Sequence, residues 1–166
     1  DEYWPSRSSY FGICDLAGLP KDRYYLYRSH WNKDAHTIHL LPHWSWGTSK
    51  KDKGNRIGEV TPVYCYTDYP TGELFVNGKS QGKVTKNPKE RLDRYRLRWN
   101  HVKYEPGEIK VVVYDAEGNA AGEQTIKTAG KPAALKLEAS TASHASTASP
   151  ILKADGDDLA LITVSL

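Results

Sequence analysis

Asn77-Gly78, set between two short runs of alternating apolar and polar residues, restricts this chain more than any other pair. A two-residue link between antiparallel strands matches their twist only when both central residues take φ > 0. Asn and Gly do this at least cost. Leu74 and Val76 then share one face of a strand, and Phe75 takes the other. Gly82 permits a bulge or tight turn where the return strand begins. The pattern predicts a β-hairpin within a sandwich, flanked by other short strands.

The neighbouring segments supply those strands. His36 to Leu41 reads as a strand that Pro42 ends. Glu59 to Thr67 follows, with Val60, Tyr64 and Tyr66 on one face and Val63 and Cys65 on the other. Tyr95, Leu97 and Trp99 alternate with Arg94, Arg96 and Arg98, a strand wet on one side. Glu108 to Tyr114 is apolar on both faces and reads as central; Ala120 to Thr128 returns beside it. Turn signals at this spacing predict a mainly β fold, an immunoglobulin-like sandwich over residues 36–129.

The flanks differ. Pro20-Lys21-Asp22 opens a helix on which Tyr24, Tyr27 and Trp31 form one stripe. So short a helix cannot bury such a stripe alone, so it must pack on the sandwich or on a part lying outside this chain. Gly130 and Pro132 punctuate a linker, Ala134 to Ala139 is a new strand, Ser140 to Pro150 a low-complexity loop, and Leu159 to Leu166 a last strand.

Charge and composition narrow the classes. The net charge is +3, with bases and acids mixed, as in Lys50-Lys51-Asp52-Lys53. Solvated loops account for this, and no nucleic-acid partner is expected. No apolar run nears the ~20 residues of a membrane helix. The chain has no Met, which reads as a processed chain or a fragment. Cys14 and Cys65 share no metal or redox spacing and read as unpaired thiols. His39 and His43 stand about 13 Å apart along a strand, too far for one ion, and His36 faces the other way. The acidic turn Asp155, Asp157, Asp158 lacks a calcium loop's spacing. No metal and no cofactor are expected. Trp44, Trp46, Tyr64, Tyr66, Tyr69 and Trp99 suit either a sugar-stacking platform or core packing.

Trp4 to Ile13, Asp15 to Gly18 and Pro20 to Tyr27 resemble the last loop and last helix of the catalytic barrel in bacterial family 2 glycoside hydrolases, the β-galactosidase family. The likeness continues at His39 to Trp44, at the Glu73 hairpin, at Tyr104 to Gly107 and at Thr128 to Ala133. It implies the end of a TIM barrel over 1–35, the sandwich over 36–129, and over 130–166 a linker and the start of a second immunoglobulin-like module. It also implies a non-catalytic segment of an enzyme that hydrolyses terminal β-galactosides. A carbohydrate-binding module and a structural spacer are the alternatives.

Retaining glycosidases need two carboxylates about 5 to 5.5 Å apart. In the family both are glutamates, the acid/base following an asparagine. No asparagine here precedes a glutamate, and Glu59, Glu73, Glu105, Glu108, Glu117 and Glu123 fall at turns or polar strand positions. No catalytic residue is therefore expected in this chain. The resemblance places Tyr3, Trp4 and Arg7 at the active-site rim of the intact enzyme, the aromatics offering apolar faces and Arg7 hydrogen bonds to hydroxyls. Helix capping or packing between domains is the other reading. The implied partners are a galactoside and the upstream barrel, with self-association through exposed ends. The implied location is periplasmic or secreted.

Overall fold

The computed structural model describes residues 11–15, 18–141, 156 and 160–165. The chain divides into two units, Asp1–Ala129 and Gly130–Leu166. The first holds one helix, α1 (Asp22–Trp31), and strands β1 (Ile38–Leu41), β2 (Val63–Thr67), β3 (Thr71–Val76), β4 (Lys79–Thr85), β5 (Leu97–Trp99), β6 (Glu108–Tyr114) and β7 (Ala120–Lys127). They form two antiparallel sheets, β1-β2-β5 and β4-β3-β6-β7. The fold is mainly β, an immunoglobulin-like sandwich of three strands on four.

Alternation builds the core between the sheets. Leu40, Val63, Cys65, Leu97 and Trp99 point inward from one sheet. Leu74, Val76, Ile109, Val111 and Val113 point inward from the other. β6 is central, as its apolar faces predict. Its outward face is half-buried: Lys83 Nζ lies 3.6 Å from the Tyr114 ring centroid, and Tyr114 donates to Glu73. Both cysteines are free thiols; Cys65 is wholly buried, and burial pushes its pKa up to about 12.

The hairpin forms as its sequence requires. Asn77 has φ 48° and Gly78 φ 77°. Gly82, at φ 103°, sits in a bulge: Glu73 pairs with Lys83 but Phe75 with Ser80, so Gln81 and Gly82 together oppose Leu74.

Some strands are shorter than the sequence predicts; β1 begins at Ile38 rather than His36. β2 begins only at Val63; Val60 is exposed and makes one isolated bridge to Lys103. β5 omits Tyr95, which turns away from the core toward α1.

Asp68 fastens the start of β1. Its carboxylate accepts from the Thr37 N–H (2.7 Å) and meets His36 Nδ1 at 2.5 Å. Burial works to raise its pKa, but these hydrogen bonds outweigh that and hold it below the usual carboxylate value. A lowered folded pKa stabilises above the unfolded value, ~3.9, and this stabilisation is lost as pH falls through the folded pKa. Urea midpoints measured from pH 5 downward should therefore fall less steeply in Asp68→Asn than in the parent. Parallel curves would remove this role.

The second unit is an antiparallel ribbon of β8 (Lys136–Thr141) and β9 (Ala160–Ser165). Leu137 pairs with Val164 and Ala139 with Ile162; Lys136 bonds Glu138 at 2.8 Å. The strands fall within two residues of where the sequence places them. The 142–150 part of the low-complexity loop lies outside the described residues.

Candidate functional site

The helix meets the three-stranded sheet through aromatic and polar groups rather than an apolar stripe. Tyr25 stacks on His39 (centroids 3.9 Å, planes 9° apart), and His39 stacks in turn toward Tyr66 at 6.3 Å. His39 Nε2 donates to Asp22 (2.7 Å). Ser29, buried on the same side, donates to the Leu26 carbonyl. At the far end His30 Nε2 donates to the Tyr95 carbonyl (3.0 Å). β2 is thus covered on both faces, by the core and by α1. This explains why Tyr66, on the face away from the core, is buried.

The stripe of Tyr24, Tyr27 and Trp31 points elsewhere. The docked side carries Asp22, Tyr25 and Ser29 at i, i+3 and i+7. A hydrogen-bonded histidine on β1 gives that polar face its partners, which apolar periodicity does not register. Tyr27 and Trp31 stack on each other (4.8 Å, 12°), and Trp31 is 72% exposed. With Leu26, His30 and Tyr95 they line an almost wholly apolar groove of about 380 Å³.

Of the two roles open to them, most of the sandwich aromatics take up packing rather than a sugar-stacking platform. Trp44, Tyr66 and Trp99 are buried, and Tyr69 stacks on His36. Trp44, Trp46 and Tyr104 pack edge to face at 5.0 to 5.9 Å and close one end of the sandwich. The glutamates serve the surface. Glu59 pairs with Arg56, Glu108 with Lys127 and Glu123 with Lys110, while Glu73 accepts from Ser80 and Tyr114. Among the described residues no three metal-ligating side chains gather. Tyr3, Trp4 and Arg7 lie outside the described residues.

A helix thus docks on one rim of a seven-stranded sandwich and leaves an apolar face open. Comparison identifies its setting. Residues 58–122 match the family described as Domain of unknown function (DUF4982). Over 164 residues the chain is 44% identical to beta-galactosidase BoGH2A of Bacteroides ovatus, covering 98% of this chain and 16% of that protein. It is 28% identical to a beta-glucuronidase of Formosa agariphila, over 93% of this chain and 14% of that one. A beta-glucuronidase structure from glycoside hydrolase family 2 superposes with TM-score 0.72 at 29% identity, covering 92% of this chain and 14% of that one. A family 2 member from Bacteroides cellulosilyticus gives 0.73 at 27%, over 95% and 21%. The chain belongs to glycoside hydrolase family 2 and spans 14% to 16% of the length of these two curated relatives.

Proposed function

We propose that this chain is the non-catalytic segment that braces the catalytic barrel of a β-galactosidase acting on terminal β-galactosides. One observation carries the bracing role. α1 spends its polar face on the sandwich and keeps Leu26, Tyr27, Trp31 and Tyr95 around an open apolar groove. Such a groove has few groups for sugar hydroxyls and suits a protein surface. The 44% identity to a protein named beta-galactosidase favours a galactoside over a glucuronide, since a putative beta-glucuronidase reaches 37% over 75% of the chain.

Two measurements test this. The chain alone should release no nitrophenol from nitrophenyl β-galactoside above the buffer rate; turnover that follows the chain through purification would end the non-catalytic reading. In a protein that carries the barrel, Trp31→Asp should lower the melting temperature, while the same change leaves the isolated chain almost unaffected. Equal effects in both contexts would show that Trp31 serves only this unit. Faster turnover of nitrophenyl β-glucuronide than of the galactoside would overturn the substrate assignment.

A further inference from the structure

A second groove, of about 390 Å³, opens at the other end of α1, and Phe11, Lys21, Asp22, Arg23, Leu41 and Tyr66 line it. Its volume falls in the range of small-molecule sites. Unlike the groove at Trp31, it mixes an aromatic face with charges. The Phe11 ring is 90% exposed at its rim. Lys21 Nζ donates to the Phe11 carbonyl (2.6 Å), which fixes the rim to the start of the helix.

The side of the groove formed by Tyr66 has unmet hydrogen-bonding capacity. Tyr66 is only 8% exposed, yet its hydroxyl bonds no group among the described residues. It is not among the buried polar atoms left without a partner, so it opens onto the groove as an accessible donor. The charges around it are positive in sum. Asp22 is already engaged by His39. Arg23 makes no ion pair with any described residue, so its guanidinium is available to the groove. Behind Tyr66, the Arg96 guanidinium lies 5.6 Å from the ring centroid, and its buried Nε has no partner. Burial works to raise the Tyr66 phenol, against the pull of Arg96, so it stays a neutral O–H donor.

From this arrangement we infer that the groove binds a sugar bearing a carboxylate, its ring on Phe11 and its carboxylate between Arg23 and the Tyr66 hydroxyl. A planar guanidinium matches a carboxylate with two parallel hydrogen bonds. A ring face suits the C–H face of a pyranose. A neutral sugar would use Phe11 and leave the cation unmatched. The inference stands apart from which glycoside the whole enzyme cleaves, since it uses only this chain's own side chains.

The test is titration of the full 166-residue chain with methyl β-glucuronide and, separately, with methyl β-galactoside, followed by NMR shifts. The glucuronide should saturate with a dissociation constant of about 1 mM and bind about tenfold tighter than the galactoside. Added salt should weaken it. Arg23→Gln, at an exposed position, should abolish the preference without changing the circular dichroism spectrum. Tyr66→Phe, which keeps the buried ring, should weaken the glucuronide several-fold. Equal binding of the two sugars, no saturation by the glucuronide, or a preference that survives Arg23→Gln would each overturn the inference.

Discussion

Trp44→Ala should cost the sandwich about 3–5 kcal/mol, the range for deleting a large buried aromatic. Trp44 is wholly buried, and its ring meets Tyr104 at 5.0 Å and Trp46 at 5.9 Å. It also ties three segments together. Its Nε1 donates to the Glu105 carbonyl (2.9 Å), and its own carbonyl accepts from Thr128 Oγ1 (2.7 Å). Alanine removes the packing and leaves the Glu105 carbonyl unpaired. Whole domains are stable by only about 5–15 kcal/mol, so the variant should unfold at far lower urea. With a slope of roughly 1–3 kcal/mol per molar, the midpoint should fall by more than about 1 M. Trp44→Phe keeps a ring and loses the hydrogen bond, so its loss should be smaller. If Ala and Phe cost the same, the hydrogen bond rather than the packing dominates.

Gly107→Ala should be the costliest change at any turn. Gly107 has φ +131°, and an added Cβ would lie 2.1 Å from Asn77 Oδ1. That oxygen accepts the Glu108 N–H (2.8 Å), and Asn77 Nδ2 donates to the Pro106 carbonyl (3.1 Å). A side chain at 107 therefore adds backbone strain of about 1–3 kcal/mol and breaks the clamp that holds the β3–β4 turn against the start of β6. Gly78→Ala is the control. Its φ is +77°, but nothing lies within 4 Å of its Cβ position, so only strain remains. Urea unfolding should rank Gly107→Ala well below Gly78→Ala. Equal midpoints would mean that Asn77 swings aside without loss.

The turn itself was readable in advance because a two-residue hairpin admits few residue types. The clamp was not: Asn77 and Glu105-Pro106-Gly107 lie some thirty residues apart, and no local pattern shows one side chain filling the space that the other vacates. The helix shows the same limit more sharply. Its apolar residues at 24, 27 and 31 were legible as a stripe, but the docked face carries Asp22, Tyr25 and Ser29. His39 supplies the stack and the hydrogen bond that make that face the inner one.

What the sequence by itself determined is the part ruled by short-range sterics and alternation: the Asn77-Gly78 hairpin, the inward residues of β3 and β6, and the lack of an Asn-Glu pair. These follow from φ preferences and a period of two, which neighbours along the chain set. The tertiary structure alone decided which face of α1 is covered, why Tyr66 is buried away from the core, and how Phe11, Arg23 and Tyr66 come to line one groove. Those outcomes depend on contacts between residues distant in the chain. There, matching of hydrogen bonds and ring faces outweighs the apolar stripe that periodicity picks out.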